Sequence, residues 1–343
     1  MNSILDPLKT SSYDYSLPKE LIATHPIEPA HDAKLLVYDR QKETITHTTF
    51  KHLLEVLPSH LQILLNDTKV IKARIFGHKQ SGGKVELLFN KPLLDNTFLC
   101  LIGGKVKVGT ALKFDNDLEA VVLKLNLDGT REVKFFQHNK ELDFLALIEI
   151  LNQIGHLPLP PYMNRSDEKS DETNYQTLFA KKYGAVAAPT ASLHFTPELF
   201  DALKQQHTLD YLTLHVGAGT FKPVEAQEIL NHPMHSEYYE VSSPAKEIIL
   251  NDKPLLAVGT TVTRTIEYFF RTNQEQGECD LFLNPVNKPL RVNHLLTNFH
   301  LPKSTLIMLI ASFIGLEKTL ELYDIAIKEK YRFYSYGDGM LIL

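Results

Sequence analysis

The stretch from Ile71 to Phe136 differs in pattern from the rest of the chain and restricts the folds that the protein can adopt. Short β-prone runs follow one another there, separated by Gly-Gly, Val-Gly-Thr and Asp-Gly turns. Such runs joined by glycine-containing turns are typical of a small antiparallel barrel or meander. A helical period begins at Phe144 and extends to Ile154, and Gly155 is the predicted end of this helix.

The pattern on both sides of this stretch is mixed, and after Gly155 it repeats a strand, a turn and a helix, which is typical of an α/β layer or barrel. A chain of 343 residues is also long for one compact core. We therefore predict the α/β class, with a larger, barrel-like α/β domain formed by residues 1–70 and 150–343. A smaller all-β barrel domain of residues 71–149 is inserted into it. Ligands of such proteins often bind in the cleft between the two parts.

Composition excludes several classes of protein. Cys100 and Cys279 are the only cysteines and lack a C-x-x-C partner, which argues against a disulfide scaffold and favours a reducing cytoplasm. The longest apolar run, Leu306–Gly315, has about half of the ~20 residues that a membrane span needs, so we expect a buried helix and no membrane partner. Because the net charge is −5, an RNA partner would require a local basic patch.

Three motifs place polar groups where predicted strands end: HVGAGT (215–220), VGTTVTR (258–264) and LLTNFH (295–300). Open α/β sheets bind ligands beyond the carboxyl ends of their strands, and the free amides of a helix start suit a phosphate or carboxylate. For a single motif, a glycine turn with threonine N-caps and an exposed arginine is a slightly better explanation than a binding site. Three of them in one chain favour a binding site.

The segment HPMHSE contains His232, His235 and Glu237, which are residue types that bind zinc. Neither a helix nor a strand directs all three side chains to one point, so we predict no metal site. His235 and Glu237 have the chemistry for proton transfer, with the carboxylate orienting the imidazole. A surface histidine beside an acid explains the same pair equally well.

The chain end, YRFYSYGDGMLIL (331–343), combines aromatic and apolar residues with two glycines and polar groups such as Tyr336 and Asp338. Chain ends are ordinarily frayed and poor in specific polar chemistry. We therefore predict a buried strand that lies beside a site, with a plain core strand as the alternative.

Taken together, the motifs resemble the S-adenosylmethionine:tRNA ribosyltransferase-isomerases of queuosine biosynthesis. The similar segments span nearly the whole chain in the family's order and include NDTKVIKARIFG, GHLPLPPY, GAVAAPTASLHFT, LTLHVGAGTFKPV, HPMHSE, AVGTTVTRTIE, LLTNFHLPKSTLIMLI and YRFYSYGDGM. Each motif is weak alone, but the ordered series is specific. The resemblance implies a larger α/β domain with a smaller β-barrel domain, as the residue pattern also predicts.

The resemblance further implies the reaction. The ribosyl part of S-adenosylmethionine is moved and isomerised onto the aminomethyl group of a 7-deazaguanine base at the tRNA wobble position. Epoxyqueuosine in tRNA, adenine and methionine are the products. S-adenosylmethionine is then the ribosyl-donating co-substrate, no metal is required, and the partner is tRNA with a GUN anticodon. We expect a monomer in the cytoplasm.

Such a reaction needs proton carriers and a binding site for a cationic donor. The candidate carriers are His215, His235 and His300, because histidine titrates near neutral pH, and Glu237 or Asp338 could assist one of them; the sequence does not rank them. The candidate substrate-binding residues are Gly217, Gly219, Thr220, Gly259, Thr260, Thr261, Arg264, Asn298 and Tyr336. Within this set, Arg264 suits the methionyl carboxylate, and the glycines allow close backbone contact.

The candidate tRNA-binding surface is a basic cluster at the junction with the β domain. Its members are Lys69, Lys72, Arg74, His78, Lys79 and Lys84. An ordinary solvated surface explains such a charge run as well. Neutralising the cluster should weaken tRNA binding and reduce its salt dependence.

Departures from the family pattern limit the comparison. Residues 31–34 lack the usual arginine and serine, Ser192 replaces a usual glycine, and residues 284–290 replace a usual proline-glycine-aromatic stretch. Three other functions remain open: an S-adenosylmethionine-dependent RNA methyltransferase, an RNA-binding module without chemistry, and a metal-dependent hydrolase. The lack of G-x-G-x-x-G near the N-terminus argues weakly against the methyltransferase.

Overall fold

A computed structural model describes residues 5–221 and 224–343 of the chain. The strands in these residues are β1 (Lys34–Asp39), β2 (Thr44–Thr49), β3 (Gln62–Asn66), β4 (Thr68–Val70), β5 (Arg74–Lys79), β6 (Lys84–Pro92), β7 (Phe98–Gly103), β8 (Ala111–Phe114), β9 (Leu118–Leu125), β10 (Arg131–Gln137), β11 (Lys140–Glu141), β12 (Lys182–Ala185), β13 (Thr208–Leu214), β14 (Glu237–Val241), β15 (Leu255–Val258), β16 (Gln276–Cys279), β17 (His294–Asn298) and β18 (Gly339–Ile342). The α-helices are α1 (Leu53–Val56), α2 (Phe144–Ile154), α3 (Asp171–Asn174), α4 (Pro197–Gln206), α5 (Ser243–Leu250), α6 (Thr260–Thr272), α7 (Thr305–Ile314) and α8 (Leu316–Lys328).

Strands β5 to β10 form a closed antiparallel barrel. The strand order is β10-β7-β6-β5-β8-β9, and β9 pairs with β10 to close the ring, while β11 extends β10 as a hairpin. Alternate residues point inward, as in β6, where Val85, Leu87 and Phe89 are buried. Gly82 and Gly129 adopt positive φ in two of the hairpin turns. The predicted all-β insertion is confirmed.

Helix α2 closes one side of the barrel. The Asp143 carboxylate accepts a hydrogen bond from the amide of Ala146 at the helix start, and the helix ends at Gly155 as predicted. Leu147 and Leu151 are fully buried in the same apolar cluster as the barrel interior. The exact domain limits of 71 and 149 stay a prediction.

The remaining long strands form one nine-stranded mixed sheet in the order β16-β14-β13-β3-β15-β17-β18-β1-β2. The central strands β13, β3, β15 and β17 are parallel to one another, so their carboxyl ends lie along one edge. The α/β class is confirmed. In the described residues the edge strands β16 and β2 do not pair, so the sheet is open and differs from the barrel-like form expected for this domain.

The central strands β3 and β15 are buried because both faces of the sheet are covered. Every residue of β3 and β15 is buried. Helices α5 and α6 pack on one face of the sheet. Helix α4, which contains Phe200, packs on the other face together with the preceding Phe195. Helix α7 holds the long apolar run, which is buried as predicted. Within the described residues, no helix is long and apolar enough to cross a membrane.

The chain end forms strand β18, which lies between β1 and β17. Every residue of β18 is buried, which confirms the predicted buried strand. Gly339 is required at its start, since a Cβ atom there would lie 2.6 Å from Cζ of Phe50.

Candidate active site

Three neighbouring cavities lie at the carboxyl edge of the parallel strands. We name them the strand-end cavity, of about 90 Å³, the connecting cavity, of about 40 Å³, and the barrel-side cavity, of about 400 Å³. Thr260 and Thr261 line both the strand-end and the connecting cavity. Gly219, His235 and Glu237 line both the connecting and the barrel-side cavity. The three cavities therefore share walls and follow one another along the sheet edge.

Asn66, at the end of β3, organises this edge. It is fully buried, its Nδ2 donates to the carbonyl of Leu214 at 2.9 Å, and its Oδ1 accepts from the amides of Leu214 and Thr68 at 3.1 Å. Nδ2 also lies 3.3 Å from Oγ1 of Thr261. One side chain thus joins the ends of β3 and β13 to the start of α6. Breaking such a buried network leaves polar groups unpaired.

Asn298 lines the strand-end cavity in a fixed orientation. Its Oδ1 accepts a hydrogen bond from Oγ1 of Thr190 at 2.8 Å, and its Nδ2 lies 3.3 Å from Nε2 of His194. Burial lowers the pKa of His194 to about 3, so the ring is neutral near pH 7 and Nε2 accepts from the amide. The His194 ring stacks on Phe50 with centroids 4.0 Å apart. The amide of Asn298 is therefore oriented by two partners.

His300 lies in the same cavity, as the sequence motif predicts. Its Nε2 is 2.9 Å from Oγ1 of Thr297, and its backbone amide donates to the Tyr323 hydroxyl at 3.0 Å. Burial lowers the pKa of His300 to about 3. The imidazole is therefore uncharged near neutral pH, so it can accept a proton or a hydrogen bond but does not serve as a cationic acid.

A buried ion pair forms the base of the connecting cavity. Nη1 of Arg264 donates to Oε2 of Glu237, and the two side chains are 9% and 7% exposed. The other Glu237 oxygen accepts from the amide of Gly217 at 2.9 Å. Arg264 also donates to the carbonyls of Leu281 and Cys279. Arg264 thus fixes Glu237, and its expected contact with a methionyl carboxylate stays a prediction.

Helix α6 starts as the VGTTVTR motif predicts. Strand β15 ends at Val258, Gly259 precedes the helix with φ of 102°, and in the described part of the chain the helix start has no N-cap side-chain hydrogen bond. Thr260 and Thr261, the first two helical residues, line the cavities. A helix start without a side-chain acceptor leaves amides that suit an anionic or polar ligand group.

His215 follows β13 and lines the barrel-side cavity. Its Nδ1 is 2.7 Å from Oγ1 of Thr68, and its ring packs on Gly184, where an added Cβ atom would lie 2.7 Å from the ring. Burial, together with the nearby Lys182, lowers the pKa of His215 to about 4. The ring is thus neutral near pH 7.

His235 lies next to the glycine-containing loop that follows β13. A Cβ atom at Gly219 would lie only 2.6 Å from Cδ2 of His235, so the glycine makes room for the imidazole. Gly217 lines the barrel-side cavity. The backbone of Thr220 belongs to the short 3-10 turn Ala218–Phe221, but its side chain lies outside the described part of the chain.

Barrel residues form the other wall of the barrel-side cavity. Oδ1 of Asn90 accepts from the amide of Ala218 at 3.1 Å, and Nζ of Lys91 lies 2.8 Å from a Glu278 carboxylate oxygen. Both residues belong to β6, next to the apolar Leu101 of β7. The inserted domain therefore supports the glycine-containing loop directly and encloses the cavity.

Two predicted site residues lie elsewhere. Asp338 is buried and accepts hydrogen bonds from the backbone amides of Lys34 at 2.9 Å and Arg332 at 2.7 Å. Burial raises its pKa. Tyr336 donates to Asp171 at 2.8 Å. Neither lines any of the three cavities, so the structure does not bring them together with the other candidates; they brace the chain end instead.

The predicted basic cluster is partly neutralised. Lys72 pairs with Glu172 at 2.9 Å, and Nε of Arg74 pairs with Glu86 at 2.7 Å. Nζ of Lys79 donates to the Lys105 carbonyl. His78 and Lys84 lie on the adjacent strands β5 and β6. Nζ of Lys69 lies 4.6 Å from the ring centroid of Tyr183, beside the barrel-side cavity. Within the basic cluster, Lys69 thus lies next to the candidate site.

Within residues 5–221 and 224–343, no three or more His, Cys, Asp or Glu side chains are grouped so that they could hold a metal ion. His232 and His235 both line the connecting cavity, together with Glu237. The Glu237 carboxylate is already hydrogen-bonded to Arg264 and to the amide of Gly217.

Sequence reasoning missed several residues of the site. His194 and Thr190 orient Asn298, and the quoted segment GAVAAPTASLHFT contains both, so that segment was a usable signal. Asn90 and Lys91 are far from the other motifs in sequence and reach the cavity only through the barrel. No local pattern marks them.

Comparisons with known proteins agree on one family. The family model described as a queuosine biosynthesis protein matches residues 10–342. The S-adenosylmethionine:tRNA ribosyltransferase-isomerase of Aliarcobacter butzleri is 69% identical over 99% of this chain and 100% of its own length. The enzyme of the same name from Nitratiruptor is 62% identical over the same shares, and that from Campylobacter fetus is 59% identical over 98% of this chain and 99% of its own.

A solved structure is similar as well. The crystal structure of S-adenosylmethionine tRNA ribosyltransferase from Thermotoga maritima is 33% identical, with a TM-score of 0.53, and the match covers 97% of this chain and 100% of that one. The open α/β sheet, the inserted barrel and the ordered motifs thus agree with full-length relatives. The chain belongs to the S-adenosylmethionine:tRNA ribosyltransferase-isomerase family of queuosine biosynthesis.

Proposed function

We propose that the three cavities form the active site for ribosyl transfer from S-adenosylmethionine to tRNA. The acceptor is the aminomethyl group of a 7-deazaguanine base at the wobble position, and the products are epoxyqueuosine in tRNA, adenine and methionine. One observation carries the proposal: neighbouring cavities share Thr260, Thr261, Gly219, His235 and Glu237 as walls. Shared walls let two bound substrates meet, as a transfer reaction requires.

The donor binds at the strand-end and connecting cavities. Gly259 and the uncapped start of α6 supply backbone groups, and Asn298 supplies an amide of fixed orientation. Within the described residues, no Asp, Glu, Lys or Arg side chain lines the strand-end cavity, which suits the neutral adenine of the donor. An oriented asparagine amide matches the amino group and ring nitrogen of adenine.

The histidines of the site carry out proton transfer. His215 is neutral near pH 7 and accepts a proton from the attacking amine or from the donor carbon, and His235 lies along the same cavity. Glu237, held by Arg264, orients the glycine-containing loop between them. His300 is neutral and hydrogen-bonds in the strand-end cavity, where adenine departs.

The partners follow from the same reaction. The tRNA carries a GUN anticodon with the modified base, the enzyme needs no metal, and it acts as a monomer in the cytoplasm. Cys100 and Cys279 are both free and buried, which is compatible with a reducing compartment. Light scattering of the purified protein tests the monomer, and activity after exhaustive dialysis against a chelator tests the metal requirement.

The product mixture tests the proposed reaction. Purified protein is incubated with S-adenosylmethionine and tRNA that carries the aminomethyl-deazaguanine base, and the small molecules are separated by chromatography. Adenine and methionine should appear together, and only with that tRNA; the same tRNA with guanine at the position is the control. S-adenosylhomocysteine would mean methylation, and no product at all would contradict the proposal.

A further inference from the structure

We propose that the barrel-side cavity is a chamber for one unpaired nucleotide of the RNA, whose base leaves its stack and inserts between the barrel and the α/β sheet. This inference rests on the proposed function and deepens it, since it says which cavity holds the acceptor. The ligand class is a purine-like base with a cationic aminomethyl arm, carried on a single-stranded loop. Enzymes that modify a base take it out of the stack in this way.

Size separates the barrel-side cavity from the other two. Its volume of about 400 Å³ lies in the range of pockets that enclose a whole ligand, whereas the strand-end cavity has about 90 Å³ and the connecting cavity about 40 Å³. A nucleotide attached to a tRNA loop needs the largest of the three spaces. The two smaller cavities suit parts of a free small molecule.

Exposed aromatic rings mark the chamber as a stacking site. Tyr183 and Tyr238 line it and are 37% and 36% exposed, although large apolar rings are ordinarily covered. The ring of His215 lies nearly parallel to that of Tyr238, with 5.8 Å between centroids and 20° between planes. Proteins that bind single-stranded RNA stack unpaired bases on such rings. Nζ of Lys69 lies 4.6 Å from the ring centroid of Tyr183, close enough to reach an adjacent phosphate.

The charges of the chamber fit the acceptor. Three carboxylates line it, those of Asp128, Glu237 and Glu278, against two paired cations: Arg264 pairs with Glu237, and Lys91, the one lysine among the described lining residues, pairs with Glu278. Carboxylate oxygens accept from a protonated amine and from the ring N–H and amino groups of a guanine-type base. By contrast, no Asp, Glu, Lys or Arg is among the described residues that line the strand-end cavity. A cationic aminomethyl arm is therefore better placed in the barrel-side cavity.

The chamber exists only because the two domains meet. Asn90 and Lys91 of the barrel bind Ala218 and Glu278 of the α/β part, and Leu101 of the barrel is an apolar residue of the cavity wall. Its inner end shares walls with the connecting cavity. A base inserted there has its amine beside the route to the donor, which gives the inserted barrel a function in catalysis.

Filling the chamber tests the inference. Leu101→Trp adds volume inside the cavity, and Leu123→Trp adds the same volume on the exposed outer surface of the barrel as a control. We expect Leu101→Trp to raise the KM for the modified tRNA at least tenfold or to abolish transfer. The Kd for S-adenosylmethionine, measured by calorimetry, should stay within twofold of the wild-type value. Leu123→Trp should match the wild type in both the KM for the modified tRNA and this Kd.

Removing the stacking rings gives a second, independent readout. Tyr183→Ala and Tyr238→Ala should each weaken binding of a fluorescent anticodon stem-loop that carries the aminomethyl-deazaguanine base by about 5- to 150-fold, as expected for a lost base–aromatic stack. Phe270→Ala, which removes a ring that is 42% exposed on α6, should change nothing. Thermal melting confirms that each variant is folded.

The possible outcomes distinguish an error in the chamber assignment from an error in the proposed function. If all three cavity variants bind the stem-loop as the wild type does, or if Leu101→Trp weakens only S-adenosylmethionine binding, the chamber assignment is wrong. If the wild type releases no adenine or methionine, the proposed function fails instead. The stem-loop measurement still tests the chamber assignment in that case, because binding does not depend on turnover.

Discussion

Replacing Gly219 by alanine should lower kcat, because the added methyl group would displace the imidazole of His235. A Cβ atom at Gly219 would lie 2.6 Å from Cδ2 and 2.8 Å from Cγ of that ring. Ordinary van der Waals contact begins near 3.4 Å, so the ring must move by roughly 0.8 Å or more. Gly219 does not have a positive φ, so alanine fits the backbone there and the displacement falls on the side chain.

A displacement of about 1 Å in a catalytic group lowers rates on the order of 100-fold. We therefore expect Gly219→Ala to lower kcat for adenine release about 100-fold, with a melting temperature close to the wild-type value. The KM for S-adenosylmethionine should change less than kcat.

Gly217→Ala is the matched control in the same loop. There the nearest atom to an added Cβ is Oδ1 of Asn90, at 3.2 Å, which needs to move by only a few tenths of an ångström. We expect less than a tenfold change in kcat for this variant. The explanation is refuted if Gly219→Ala keeps full kcat, or if Gly217→Ala is equally damaging.

Three further predictions concern stability, pH and tRNA. Glu237→Gln leaves the buried Arg264 without its carboxylate and should lower the free energy of unfolding by about 3–5 kcal/mol in urea titrations; an unchanged midpoint would contradict the ion pair. The pKa of His300 is about 3 when folded and near 6.5 when unfolded, so the unfolded chain binds more protons between these values and stability falls as the pH is lowered through them. His300→Asn should flatten that pH dependence, and a slope identical to the wild type's would refute the assignment. Lys69→Ala should weaken tRNA binding and reduce its salt slope by about 1, whereas Lys328→Ala, at the exposed end of α8, should not; equal effects would place the tRNA elsewhere.

Local patterns were sufficient for much of the fold. The end of α2 at Gly155, the cap of α4 by Thr196 and the end of β15 at Val258 each depend on a few neighbouring residues with known propensities. The inserted barrel was visible because its strands are short and its turns contain glycine. The order of strands in the large sheet was not predictable, since it depends on pairings between segments as distant as β1 and β18.

The candidate site was predictable only in part, for a similar reason. The motifs after β13, β15 and β17 converge because parallel strands end at one edge, so His215, Thr260 and Asn298 could be expected together. Asp338 has the right chemistry, but its carboxylate accepts hydrogen bonds from two backbone amides and does not line any of the three cavities. Likewise, arginine is a residue type that binds anions, so Arg264 is a plausible anion-binding residue from the sequence. Its contact with Glu237 depends on the tertiary structure and could not be predicted from the sequence.

The central claim is that a ribosyl group passes from the strand-end cavity to a base on tRNA. The most direct measurement uses S-adenosylmethionine with isotopic carbon in the ribose, followed by mass spectrometry of nucleosides from the digested tRNA. We predict that all labelled ribosyl carbons appear in the modified wobble nucleoside, and that a label on the donor methyl group does not. Transfer of the methyl label, or tRNA without any label, would contradict the account.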